Sequence, residues 1–375
     1  MNRWDVVWEQ LTDNPEVVWG ALSALVIVLV LTPAVGRAAR YLRLADRPTE
    51  GERARHEIPR LGGLALFFAI FIPSLAFLPL GGELRGVLIG AAVATAVGAV
   101  DDFRGLNWWQ KLGGQVLAAS IPAFFGVWVH RFTLPIIGVH QVPSWIGIPL
   151  TVLGIVAVMN MVNFLDGLDG LAAGVCAISG ATFAVIELSL GRIGAATLAA
   201  IVFGACLGFL RHNFYPARIF MGDSGALLLG YTLATISVQG LLKTAALATL
   251  LLPLLVLAVP VVDTSFVVAK RIRSGQPLYV ADARHLHHRF MRIGFSQRRT
   301  VAHLWTWCLT LALAALATRF APPHHRGDWN LTNVAIDVVT SLLAIGMSLY
   351  VVYLLEIVKL ERPGAGRRAR ASKAA

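Results

Sequence analysis

The stretch 159-MNMVNFLDGLDGLAAGV-175 decides how the rest of the chain is read. It sets Asn160, Asn163, Asp166 and Asp169 three residues apart at the end of one apolar run and at the start of another. Each step of three drifts about 60° around a 3.6-residue helix, so these four residues do not share one narrow stripe. Gly167 and Gly170 resolve this, because glycine ends or loosens a helix. Asp166 and Asp169 are therefore expected on a turn, with Asn160 and Asn163 on the helix before it. If the flanking runs cross a membrane, a carboxylate inside it costs on the order of 2.5 kcal/mol or more. The two aspartates then need water, a cation or a partner; the plain alternative is a polar loop end without chemistry.

Composition puts the flanking runs in a membrane. The chain has 375 residues, 57% hydrophobic and 14% charged, with a mean hydropathy of +0.69, outside the range of ordinary soluble domains. Apolar runs fall near 17–35, 61–80, 86–100, 112–129, 147–165, 171–190, 194–210, 224–242, 245–269, 301–319 and 333–358. About 20 apolar residues span a hydrocarbon core. The expectation is an all-α integral membrane protein of about eleven transmembrane helices. It forms a single domain over 1–375 with a basic tail at about 359–375.

An odd number of spans separates the termini, and the lysines and arginines choose the sides. With the N-terminus outside, 25 of the 32 Lys and Arg fall in inner segments. The C-terminus is then cytoplasmic, in a cell membrane. The formal net charge of +11 reads as this topology signal, with some attraction to anionic headgroups, rather than as a nucleic-acid surface. The first run is too long for a signal peptide and is read as a retained helix. Cys176, Cys206 and Cys308 lie in expected spans at spacings that suit neither zinc nor disulfides.

Three further polar clusters fall on the inner side by the same count. Asp101 and Asp102, in GAVDDFRGLNWWQK, are adjacent carboxylates that repel unless a cation or donors hold them. Lys111 and Arg104 are local candidates. Asp223 sits between Gly222 and Gly225, which allow close approach; a helix cap is the bland reading. Arg284, His285, His287 and His288, in the longest inner loop, suit phosphate oxygens better than zinc. Four clusters on one face suit an anionic substrate with a divalent cation, since Mg²⁺ takes a few protein oxygens plus substrate phosphates.

The ordered set DDFRGL, NMVNFLDGLDGLAAG, FMGDSGALLLG and RHLHHRF resembles the polyprenyl-phosphate N-acetylhexosamine-1-phosphate transferases. That resemblance implies transfer of a sugar 1-phosphate from a UDP-linked HexNAc to a membrane polyprenyl phosphate, with Mg²⁺ (Mn²⁺ as an alternative), releasing UMP. It implies Asp223 and Asn163 as metal ligands, and Asp101, Asp102, Asp223 and Lys111 at the catalytic centre, with Asp101 orienting or deprotonating the attacking phosphate. It further implies Asn160, Asn163, Asp166 and Asp169 near the nucleotide, Phe220 stacking on uracil, and Arg284, His285, His287 and His288 at the phosphates and sugar. ARHEIPRLGG and RHLHHRF look like the branch using UDP-GlcNAc, so the expected partners are UDP-GlcNAc and the lipid, with a homodimer compatible. The phospho-MurNAc-pentapeptide translocases are the alternative. An ion-coupled transporter, for which Asp263 is the best residue, would need charges near the midplane and repeated broken helices. The Asp-Gly-x-x-Ala-Arg signature of CDP-alcohol phosphotransferases does not occur.

Overall fold

The computed structural model describes residues 3–41, 45–46, 58–134, 138–240, 256–273, 286–322, 324–325 and 328–354. In chain order the helices are α1 (Arg3–Asp13), α2 (Glu16–Tyr41), α3 (Gly62–Phe77), α4 (Gly82–Arg104), α5 (Trp108–Phe124), α6 (Ser144–Leu165) and α7 (Leu171–Ser189). They continue with α8 (Ile193–Asn213), α9 (Gly222–Gln239), α10 (Ala258–Arg273), α11 (Leu286–Arg292), α12 (Gln297–Phe320) and α13 (Leu331–Leu354). Three short antiparallel ribbons join them: β1 (Ala45–Asp46) with β2 (Ile58–Pro59), β3 (Arg131–Leu134) with β4 (Gly138–Gln141), and β5 (His324–His325) with β6 (Asp328–Trp329).

The all-α expectation holds. Each apolar run contains helix, the ninth over its second part only, because 241–255 lies outside the described residues. Among the described residues, seven helices are long and apolar enough to cross a membrane: α2, α4, α6, α7, α8, α12 and α13. Helix α4 outruns its apolar stretch at both ends, so Asp101 and Asp102 continue a helix instead of following one. Two helices, α1 and α11, have no counterpart in the apolar runs. Helix α1 is mixed in composition, and Trp4 stacks on Phe320 of α12 with ring centroids 4.0 Å apart.

Helix α9 is the axis of the bundle. Every residue from Ser224 to Val238 is buried, enclosed by α3, α4, α6, α7 and α8. A helix apolar on all sides is stable only when surrounded in this way. Small residues let its neighbours close in: a Cβ on Gly98 of α4 would lie 2.5 Å from the Asp223 carbonyl, and one on Gly63 of α3 would lie 2.1 Å from the Gly225 nitrogen. Helices α2 and α8 meet the same way, since a Cβ on Gly204 would stand 2.0 Å from the Ala21 carbonyl oxygen. Close backbone approach of this kind is how helices associate in lipid, where packing replaces the hydrophobic effect. Helix α13 by contrast turns Leu342, Leu343 and Leu349 outward, as a lipid-facing helix does.

Candidate active site

Four helix ends meet at one point. Asp101 and Asp102 come from the last turn of α4, Lys111 from the first turn of α5, Asn163 from the last turn of α6, and Asp223 from the first turn of α9. The capping box of Asn107 and Gln110 starts α5 and so fixes where Lys111 emerges. The Lys111 ammonium lies 2.9 Å from Asp101 Oδ2, contacts Asp223 Oδ2, and lies 3.4 Å from Asn163 Oδ1. Asn163 Nδ2 donates to Asp223 Oδ1 at 2.7 Å, and the Leu106 amide donates to Asp101 Oδ1 at 2.6 Å. The resemblance grouped Asp101, Asp102, Lys111 and Asp223 at one centre and Asn163 with Asp223; the structure places Asp101, Asn163 and Asp223 around Lys111.

Adjacent in sequence, Asp101 and Asp102 point to different tasks. Asp102 accepts the Asp223 amide at 2.8 Å and, on its other oxygen, the Ser224 amide at 3.0 Å and the Ser224 hydroxyl at 2.9 Å. It is therefore an N-cap supplied to α9 from another helix, satisfying amides that no intrahelical acceptor reaches. Gly222 makes this possible. Its φ is +69°, and a Cβ there would lie 2.6 Å from Asp102 Oδ2 and 2.4 Å from the Arg60 carbonyl oxygen. The segment before α9 is also held by the chain before α3. The Phe220 amide donates to the Pro59 carbonyl at 2.8 Å, Gly62 to Phe220 at 3.0 Å, and Gly63 to Met221 at 2.8 Å.

The turn after α6 contains Asp166 and Asp169, as expected, but their settings differ. Asp169 is 7% exposed and accepts the Ala217 amide at 3.0 Å. Beside it, Asn213 accepts the Gly170 amide and donates to the Ile219 carbonyl, both at 3.0 Å. Asp169 and Asn213 thus tie the α6–α7 turn to the loop leading into α9, where Phe220 stands half-buried. Asp166 keeps an open side. Withdrawal from water, then the carboxylates of Asp223, Asp102 and Asp169, push its carboxyl well above the usual range, and Arg60 opposes them.

Asn160 does not join the cluster. It forms a reciprocal amide pair with Gln115 of α5, at 2.8 and 3.3 Å, and also donates to its own Val156 carbonyl at 2.8 Å. Arg284 and His285 lie outside the described residues, and of the α11 residues His287 and His288 the side chains do so too. Helix α11 is anchored by Phe290, fully buried and edge-on to Phe295 at 5.5 Å. The sequence reading missed Gln115, Asn213 and Ser224. Gln115 was signalled by its position one helical turn after Lys111, and Ser224 by following Asp223; Asn213 gave no signal of its own.

Among the described residues no group of three or more His, Cys, Asp or Glu side chains is arranged to hold an ion. The donor set around Lys111 is nevertheless all hard oxygen: two carboxylates and an amide, already gathered about a cationic group. It suits Mg²⁺, which needs one or two carboxylates and takes its remaining oxygens from phosphate and water. Asp223 and Asn163 are the residues that would hold it, and Asp101 borders them.

A profile of glycosyl transferase family 4 matches residues 84–241, the segment containing all five cluster residues. A Bacillus subtilis protein named a probable undecaprenyl-phosphate N-acetylglucosaminyl 1-phosphate transferase is 35% identical over 301 residues, 80% of this chain and 84% of its own. The decaprenyl-phosphate N-acetylglucosaminephosphotransferase of Mycobacterium leprae is 33% identical over 352 residues, 86% of this chain and 88% of its own. A phospho-N-acetylmuramoyl-pentapeptide-transferase of Desulforudis audaxviator is 35% identical over 330 residues, covering 78% of this chain. With relatives at this identity matched along most of both chains, the chain belongs to glycosyl transferase family 4.

Proposed function

We propose that this protein transfers GlcNAc-1-phosphate from UDP-GlcNAc to a membrane polyprenyl phosphate, undecaprenyl or decaprenyl, releasing UMP on the cytoplasmic face. The observation that carries the reading is the contact of Asp101, Lys111, Asn163 and Asp223 at the converging ends of four helices. Phosphoryl transfer asks a protein mainly for positioning and charge neutralisation, and this cluster offers both. Lys111 binds phosphate oxygens as a point charge. Asp101, fixed by the Leu106 amide, orients the attacking lipid phosphate and takes a proton from it when one is present. Asp223 and Asn163 would hold Mg²⁺, which when bound would supply the positive charge that neutralises the diphosphate of the sugar nucleotide. The turn of Asp166 and Asp169, with Phe220 and the loop tied to it, receives the uridine.

Protein in detergent with UDP-GlcNAc, polyprenyl phosphate and Mg²⁺ should release UMP, and chelation should stop it. No UMP under any of these conditions would remove the transfer reading and favour a transporter. The names of the Bacillus and mycobacterial relatives support GlcNAc as the sugar. A lactyl-peptide substituent needs an open polar cleft, which a site closing over bare GlcNAc excludes. UDP-MurNAc-pentapeptide should therefore fail where UDP-GlcNAc works; the reverse preference would move the protein to the other branch and keep its chemistry.

A further inference from the structure

Behind the cluster, α4, α5, α6 and α9 close a ring, and three of its four joints are made by glycine. Gly114 of α5 meets α4, where its Cβ would stand 2.6 Å from Val97 Cγ2. Gly98 of α4 meets α9 at the Asp223 carbonyl, and Gly230 of α9 meets α6, where its Cβ would stand 2.6 Å from the Met159 Cα. Helices this close have no room to shift towards one another. The joint between α5 and α6 differs, because no glycine of either helix closes it: a Cβ on Gly113 or Gly154 would meet nothing within 4 Å. This seam carries a reciprocal amide pair instead. Asn160 Nδ2 donates to Gln115 Oε1 at 2.8 Å, and Gln115 Nε2 donates to Asn160 Oδ1 at 3.3 Å.

The pair lies one helical turn behind the contact of Lys111 with Asn163. Lys111 and Gln115 are four apart on α5, Asn163 and Asn160 three apart on α6, so each helix presents both of its residues on one side. The outer contact, Lys111 Nζ to Asn163 Oδ1, is long at 3.4 Å; the amide pair behind it is the firmer link. Gln115 is 1% exposed. Asn160 also donates to the Val156 carbonyl at 2.8 Å, so both hydrogens and the oxygen of its amide are engaged within the protein. Neither residue turns a free polar group towards a substrate. Hydrogen bonds are directional where apolar packing is not, and direction matters at this seam. Side-chain tips stand about 5–6 Å from a helix axis, so a rotation of about 10° moves one by about 1 Å.

We propose that Gln115 and Asn160 are positioning residues, whose amide pair sets the rotation of α5 against α6 at which Lys111 and Asn163 meet Asp223. The effect on turnover rests on the transfer reaction proposed above; the effect on Lys111 itself does not. Each single variant, Gln115→Leu or Asn160→Leu, strands one buried amide and should melt below wild type, whereas the double variant removes both partners and should melt close to it. In chelator without substrate, the double variant should nevertheless label Lys111 about tenfold faster with a water-soluble amine-reactive ester, read by mass spectrometry. Asp101 and Asp223 keep that amine protonated and unreactive, and one unit of pKa is tenfold in free amine. Its kcat should be down by about tenfold or more, as a misplacement of about 1 Å costs, with the UDP-GlcNAc KM within about twofold of wild type. The exchange Gln115→Asn with Asn160→Gln keeps an amide pair of the same combined length and should label Lys111 at the wild-type rate. A double variant that melts, labels and turns over like wild type would reduce the pair to helix adhesion and overturn the proposal. So would a UDP-GlcNAc KM raised in Asn160→Leu and not in Gln115→Leu, which would make Asn160 a substrate contact. If the double variant does not fold, the single variants decide: both must raise Lys111 labelling, and wild-type labelling in either ends the assignment. A wild type that releases no UMP removes the transfer reaction and leaves the labelling comparison to decide the positioning role.

Discussion

Asp102 sits one residue from Asp101 and holds a different object: the start of α9 rather than the Lys111 ammonium. The pair should therefore separate by experiment. Asp102→Ala should cost about 1–2 kcal/mol of stability, the usual loss of a side-chain cap, seen as a lower melting temperature together with lower activity. Asp101→Asn should melt near wild type yet lose turnover; equal melting losses in both would remove the distinction. Asp223→Asn keeps the side-chain shape and loses its charge, so it should abolish UMP release in folded protein. Asn163→Ala should be milder and shift the Mg²⁺ requirement upward, and unchanged Mg²⁺ titrations in both variants would identify other ligands. At Asp166 the sign is opposite to that of an ordinary surface carboxylate. Its folded pKa lies above its unfolded value, so its contribution to stability is present at low pH and lost as pH rises through the folded value. In chelator without nucleotide, Asp166→Asn should melt above wild type at about pH 8 and converge with it towards about pH 4, near the unfolded carboxyl value. A constant gap across that range would show that this carboxyl is not strained.

Between helices, the decisive contacts are made where side chains are absent. Gly98 of α4 lets the Asp223 carbonyl come within 2.5 Å of where a Cβ would stand, well inside the contact distance of two heavy atoms. Gly98→Ala should push α9 outward at cost on the order of 1–3 kcal/mol, as overpacking does, and should lower kcat more than it raises the UDP-GlcNAc KM. A fully active Gly98→Ala would show that the end of α9 tolerates displacement. These elements also show what a single sequence discloses. Membrane helices are legible because hydrocarbon demands long apolar runs, and DDFRGL or FMGDSG because charge at such a run's end is costly. The cap from Asp102 to α9 is not legible, since it joins residues 121 apart and no local pattern encodes the partner. Asn160 shows the same limit: its spacing with Asn163 is regular, but its partner, Gln115, stands on another helix. Helix α1 escaped notice because its mixed composition forms no apolar run.

For the molecule as a whole, the eleven-span reading puts 25 of 32 Lys and Arg on one side and predicts an orientation for every element. A reporter fused after Ala375 should read as cytoplasmic, and an external signal there would invert the assignment of the four clusters. The cluster draws on α4, α5 and α6 from one part of the chain and on α9 from another, with Lys111 and Asp223 separated by 112 residues. During synthesis the helices before α9 enter the bilayer first. Until the segment 220–224 emerges, Asp102 has no amides to cap, and Pro59 and Gly62 lack their backbone partner, Phe220. A chain halted before α9 therefore leaves the Asp102 carboxylate without the amides that hold it in the finished protein. Such a fragment differs chemically from the finished protein at the carboxylate that starts α9.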